Sequence, residues 1–265
     1  MRFCSLGSGS TGNATLVEAG AGARPTRLLI DCGFTYKELA LRLARIGLDC
    51  ADIDAIFVTH EHGDHVGCAL TVARRHRVPL WTSRGTWRSL AEHCSEDDPL
   101  LLDGLLRFAR DGERFEVQGL QLQPYTVPHD AAEPLQLVLG DGTARLGVLT
   151  DAGSVTPHML RALQACDALL LECNHDRDLL ATSSYPPSLK RRVGGRLGHL
   201  CNHTAAAVLG ACSHAALRHV VAAHLSEQNN RPPLAAAALA GAIGARTEDI
   251  VIASGREGFG WLDLH

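Results

Sequence analysis

The chain has no apolar run long enough to cross a bilayer. Its opening residues, Met1-Arg2-Phe3-Cys4-Ser5-Leu6-Gly7, lack the apolar stretch of a secretory leader. A cytoplasmic protein without a membrane partner is expected. There is no C-x-x-C pair. The nine cysteines stand singly, and Cys166, Cys173 and Cys212 sit in apolar runs. That pattern fits buried reduced thiols and argues against a disulfide framework. No sign of charge dominates: 25 Lys and Arg against 29 Asp and Glu leave −4. This balance excludes no substrate class, because a nucleic-acid enzyme needs to be basic only locally. No shift in composition marks a linker. With 46% hydrophobic residues over 265 positions, one domain spanning 1–265 is expected.

Strands and helices alternate along the chain. Strand-like runs fall at 2–5, 14–18, 27–33, 55–58, 78–82, 107–110, 114–117, 120–125, 135–139, 144–149, 168–172, 219–223, 250–253 and 259–262. Helical spacing marks 35–46, 66–75, 86–93, 157–165, 204–213 and 232–242. The stretch 20–25 reads as a hairpin tip, 95–99 as an acidic surface turn, and 183–198 shows no periodicity. Between the first two strands lies Gly7-Ser8-Gly9-Ser10-Thr11-Gly12-Asn13. It suits a tight turn whose amides face an anion, or a plain flexible connector. No lysine follows it, so it is not a P-loop.

The chemistry concentrates after the 55–58 strand, in Thr59-His60-Glu61-His62-Gly63-Asp64-His65. Three imidazoles and a carboxylate within six residues suit zinc, manganese or iron. His60 and His62 alternate with Glu61, so in an extended turn both can point one way, while Asp64 and His65 turn toward a second position. Further polar residues also fall just past strands. Asp31 ends one strand, where it can fix a ligand or local backbone or cap a helix. Asp151 repeats that pattern of apolar strand, acid and glycine, which suggests two similar halves. His129, the cluster Glu172-Cys173-Asn174-His175-Asp176, and His224 lie at other strand ends. Such positions can converge on one rim of a sheet. Cys32 could lie near the metals as well. His76 and His93 stand beside charged residues and read as solvated; His203, His214 and His219 read as structural. Lys190, Arg191, Arg192 and Arg196 form a basic stretch that can track a phosphate backbone or simply face water.

The set His60-x-His62-x-Asp64-His65, followed by His129, Asp151 and His224, resembles the metallo-β-lactamase superfamily. The resemblance implies an α+β fold: a four-layer αβ/βα sandwich of two similar halves with a metal site at one edge. It implies that His60, His62 and His129 hold one divalent ion and Asp64, His65 and His224 a second, with Asp151 bridging. Zinc is expected, manganese or iron being acceptable to the same donors. A hydroxide held between ions about 3.5–4 Å apart would be the nucleophile. His175 and His199 are candidates to protonate the leaving group, beside Asp64 and Asp151 in the catalytic set. Gly7 to Thr15, Glu172 to Asp176, Gly198 to Asn202 and His224-Leu225-Ser226 look like the YycJ/WalJ subfamily, with Cys201 in place of a serine. That likeness implies a 5′→3′ exonuclease acting on double-stranded DNA, with a place in DNA mismatch repair. The alternative is an ester, lactone or thioester hydrolase. The interval from Asp151 to His224 is too short for the inserted domain of β-CASP nucleases, and retained histidines at 62, 129 and 224 argue against a diiron redox role.

Overall fold

The computed structural model describes residues 1–20, 24–92, 94, 95 and 98–265. Half of the expected hairpin tip at 20–25, His93, and part of the turn at 95–99 lie outside them. Six strands open the chain: β1 (Arg2–Gly7), β2 (Ala14–Ala19), β3 (Thr26–Ile30), β4 (Ala55–Phe57), β5 (Leu80–Thr82) and β6 (Leu106–Phe108). The next seven are β7 (Phe115–Val117), β8 (Leu120–Thr126), β9 (Leu135–Gly140), β10 (Arg145–Leu149), β11 (Ala168–Glu172), β12 (His219–Ala223) and β13 (Ile250–Ile252). The last, β14 (Phe259–Asp263), returns to the first sheet.

One sheet has the order β14-β1-β2-β3-β4-β5-β6 and the other β13-β12-β11-β10-β9-β8-β7. Each begins with antiparallel hairpins and continues through parallel strands, β3 to β6 in one and β10 to β13 in the other. Parallel pairing needs crossovers, and the helices supply them. They are α1 (Tyr36–Ala44), α2 (Gly63–Val66), α3 (Ala69–His76), α4 (Arg84–Ala91), α5 (Pro99–Leu102), α6 (Pro157–Leu163), α7 (Arg177–Thr182), α8 (Pro187–Val193), α9 (Asn202–Cys212) and α10 (Pro232–Ile243).

Strand alternation builds the layers. In β3, Leu28 and Ile30 enter a core shared by both sheets, while Leu29 faces α1 and α3. In β11, Ala168 and Leu170 enter the shared core, while Leu169 and Leu171 pack toward α6, α9 and α10. Both strands are buried on both faces, which is why they read as unbroken apolar runs. The result is the expected αβ/βα sandwich.

Several local expectations need correction. The helix expected at 66–75 is broken at Gly67, whose φ is 36°. A side chain there would strike the Cys32 carbonyl at 2.4 Å, so the kink is imposed by contact with the β3 end. The stretch at 183–198 contains α8, a helix too short to show its period. Asp98 is not a surface acid: it is buried, accepts from Arg74 and caps α5 through Leu100 N–H at 2.9 Å. The strands expected at 107–110 and 114–117 lie in different sheets.

Candidate metal centre

The rim is built by strand ends under backbone strain. Asp31 follows β3 at φ 60°, Asp151 follows β10 at φ 46°, and His224 follows β12 at φ 54°. Left-handed backbone at a non-glycine residue costs roughly 1–2 kcal/mol, and such outliers gather at functional sites. Each turn swings a side chain off the sheet edge toward the loop after β4.

His60, His65, His129 and His224 each have the other ring nitrogen tied down. Thr59 Oγ1 donates to the Asp31 carboxylate at 3.0 Å and accepts from His60 Nδ1 at 3.0 Å. His129 Nδ1 donates to the Gly198 carbonyl at 3.0 Å. Both histidines therefore present a bare Nε2 when neutral, at 3.1 and 3.3 Å from His62 Nδ1. His65 Nδ1 lies 2.7 Å from Asp31 Oδ2, and its Nε2 lies 3.5 Å from Asp64 Oδ2. His224 Nδ1 lies 3.0 Å from Asp151 Oδ1 and 3.2 Å from Glu172 Oε1, leaving Nε2 at 3.5 Å from Asp64 Oδ2. Asp151 Oδ2 stands between the groups, 2.5 Å from His65 Nε2 and 3.9 Å from His60 Nε2.

These distances fit metal ions. Donors about 2.0–2.1 Å from a tetrahedral ion stand roughly 3.4 Å apart. His60, His62 and His129 form one such group, and Asp64, His65 and His224 another. Asp151 Oδ2 and His224 Nε2 are buried and, though close to His65 Nε2 and Asp64 Oδ2, make no well-formed hydrogen bond, a costly state that a cation would relieve. Burial, reinforced by neighbouring imidazoles, pushes His60 well down and His129 down, as neutral ligands require. Burial opposes charge on His65 and His224 too, but Asp151 with Asp31, and Asp151 with Asp64 and Glu172, hold them up. Burial would raise Asp64, yet His224 and His65 keep it far below the usual carboxylate range.

The Beta-lactamase superfamily domain matches residues 26–225. The chain belongs to the metallo-β-lactamase superfamily. It is thus a metal-dependent hydrolase, and divalent metal is the family's cofactor class. It is 32% identical over 235 residues to Exodeoxyribonuclease YycJ of Bacillus anthracis, covering 89% of this chain and 86% of that protein. It is 30% identical over 236 residues to Exodeoxyribonuclease WalJ of Streptococcus pneumoniae, covering 88% and 85%. Among solved structures, the metallo-beta-lactamase fold protein YhfI from Bacillus subtilis superposes with TM-score 0.74 at 14% identity over 98% of each chain. Zn(2+)-bound PqqB from Methylobacterium extorquens gives 0.72 at 19% over 99% of this chain and 100% of that one. These two structures carry the fold.

In this superfamily member the expected site residues divide. His60, His62, Asp64, His65, His129, Asp151 and His224 converge. His199 joins them: its Nδ1 lies 2.7 Å from Glu172 Oε1 and 3.0 Å from Asp151 Oδ1. Although burial opposes it, those carboxylates raise its pKa to about 9. His175 does not join the donor groups. It is buried, its pKa is lowered by burial to about 4, and its Nδ1 has no partner. Burial thus disfavours the cationic form of His175, whereas the neighbouring carboxylates favour that of His199. Cys32 lies beside the centre, its N–H donating to the His65 carbonyl at 2.7 Å, but its Sγ joins none of the donor groups and faces Cys68 Sγ at 3.4 Å.

Three supporting residues, Glu172, Glu61 and Asn13, lie in segments that the sequence marked but had no individual role assigned to them. Glu172, fully buried, accepts from Ala152 N–H at 2.9 Å and Leu200 N–H at 3.1 Å as well as facing His199 and His224. Glu61 accepts from Ala132 N–H at 2.7 Å, tying the β4 loop to the loop of His129. Asn13 reaches Asp64 and lies 3.2 Å from His65 Nε2. The serine-glycine loop is therefore a brace. Several of its amides are engaged within the protein: Gly9 N–H bonds Asn13 Oδ1, Gly12 N–H bonds the Gly9 carbonyl, and Asn13 N–H bonds the Asp64 carbonyl. Ser8 Oγ accepts from His224 N–H at 2.9 Å. Only the position of Asn13 at the end of a glycine-rich turn hinted at this.

Proposed function

We propose that this chain is a dinuclear phosphodiesterase, a 5′→3′ exonuclease of double-stranded DNA formed by a single domain over 1–265. The observation that carries the proposal is the pair of donor groups meeting at Asp151. In this reading His60, His62 and His129 hold one ion, Asp64, His65 and His224 the other, and Asp151 is shared. Zinc suits the donors; manganese or iron are accepted by the same set. The substrate class comes from the two relatives named exodeoxyribonucleases, which match nearly the full chain. All nine cysteines are free, which accords with a reducing, cytoplasmic setting. Among the described residues no helix is long and apolar enough to cross a membrane.

Bound there, the two ions would lower the pKa of water toward roughly 7 and offset charge growing on phosphate oxygens. The chain's own groups organise the rest. Asp31 and Thr59 fix the presented nitrogens of His65 and His60. Glu172 and Asp151 favour the protonated form of His199, whose ring remains partly exposed. It is the group proposed to give its proton to the leaving oxygen, a contribution of about 10²–10⁴-fold.

The test uses 5′-labelled and 3′-labelled duplexes with manganese, zinc or chelator, and His62→Ala as control for contaminating nuclease. Metal-dependent shortening from the 5′ end, absent from the variant, is expected. Intact duplex from protein carrying two ions would turn the reading to esters, lactones or thioesters.

A further inference from the structure

His199 belongs to a second feature besides the donor cluster. It lines a cavity of about 420 Å³ together with His175, Arg177, Lys190, Arg191 and Thr204. Gly153, two residues beyond Asp151, also lines it, so the cavity adjoins the metal centre. Its cations come from α7, where Arg177 is the first residue, and from the last turn of α8. No carboxylate is among the lining residues. Arg177, Lys190 and Arg191 have no acidic partner among the described residues. Arg177 Nε rests on Cys201 Sγ at 3.2 Å and Lys190 Nζ on the Ala181 carbonyl at 2.6 Å, so two of the three are positioned by neutral groups and keep their charge uncompensated. Arg192, the next residue of α8, is different: its Nε is held by Asp130 Oδ2 at 2.7 Å.

In a chain of net charge −4, three uncompensated cations around an acid-free cavity make a local anion site. Guanidinium and ammonium together suit a phosphate with several free oxygens. We propose that this cavity binds the terminal phosphate of the strand being cut. The proposal rests on the phosphodiesterase reading above and deepens it. A terminal phosphate anchored beside the metal centre places the first linkages of a strand at the cutting site and disfavours internal ones. It gives the enzyme a physical reason to work from ends. Contacts of charge with phosphate carry no base information, so the end is recognised without sequence preference.

The test measures kcat/KM on duplexes that differ only in their ends: 5′-phosphate, 3′-phosphate, or hydroxyl throughout. It compares the metal-loaded wild type with Lys190→Ala/Arg191→Ala, with Arg177→Gln, and with the charge-preserving Lys190→Arg/Arg191→Lys. The readout is the ratio between substrates within each protein, so a general loss of activity or of folded protein cancels. Wild type is expected to prefer the 5′-phosphate by about tenfold or more, as loss of even one charge-assisted bond implies, with the effect in KM. The double-alanine and Arg177→Gln proteins should bring the ratio close to one, and the charge-preserving variant should restore most of it. A preference for 3′-phosphate that the same variants abolish would keep the subsite and overturn the 5′ polarity. Equal rates on all ends in the wild type, or a ratio unmoved by both charge-removing variants, would overturn the subsite while leaving the nuclease. Intact duplexes throughout, from metal-loaded protein, would overturn the phosphodiesterase reading and the subsite with it.

Discussion

Replacing Glu172 by Gln should loosen the metal centre without touching any proposed ligand. The carboxylate faces four donors: the backbone N–H of Ala152 and Leu200 on Oε2, and Nδ1 of His199 and His224 on Oε1. An amide has one oxygen, so its NH₂ must confront one of the two donor pairs. If it faces the imidazoles, His224 loses the acceptor that helps hold its proton on Nδ1, and Nε2 is no longer reliably bare. If it faces the amides, the turn after Asp151 and the start of α9 are displaced. Asp151 Oδ1 still lies 3.0 Å from both rings, so the loss is partial. A charge-assisted hydrogen bond contributes about 1.5–3 kcal/mol. Losing one or part of two corresponds to roughly 10–100-fold in metal affinity, the range seen when partners of ligating histidines are removed. Competition against a chromogenic chelator measures this directly, with circular dichroism reporting the fold. The His199 ring, raised to about 9 chiefly by Glu172 against the opposing effect of burial, should titrate lower in the variant by NMR. Metal affinity within about twofold of wild type, in a folded variant, would refute the positioning argument.

Other outcomes follow from the same structure. Asp151→Ala should leave a folded protein with less bound metal and little hydrolysis, measured by metal analysis and turnover; full occupancy and activity would remove Asp151 from the centre. Gly67→Ala should destabilise by about 1–3 kcal/mol, because the left-handed backbone and the Cys32 carbonyl both oppose a Cβ; an unchanged Tm would contradict the close contact. The hydrogen bonds from Arg74 hold the Asp98 carboxyl below its usual range. A depressed folded pKa means the stabilisation is present above the unfolded value, near 3.9, and fades as pH falls through the folded one. Asp98→Asn should therefore cost about 1–2 kcal/mol at pH 7, and its deficit in thermal scans should shrink under strong acid; a deficit constant across pH would rule the ion pair out as its cause.

What could be read in the sequence was local. The seven residues from Thr59 to His65 declare metal chemistry because ligand type and spacing are properties of a short segment. The alternation of strands and helices, and the acids and histidines just past strand ends, announced a site on one rim, while the sandwich was implied by the resemblance to the metallo-β-lactamase superfamily. The tertiary structure decided what depends on distant partners. Glu172 reads as one more acid until the fold sets it against His199 and His224, 27 and 52 positions away. His175 and His199 look equivalent in sequence, yet carboxylate neighbours raise one and burial lowers the other. The basic stretch divides likewise: Asp130 occupies Arg192, while Lys190 and Arg191 line a cavity. Helices as short as α5, α7 and α8 have too few turns for an apolar period, so only packing reveals them. Proton affinity and electrostatic pairing are set by surroundings, and surroundings exist only once the chain has folded.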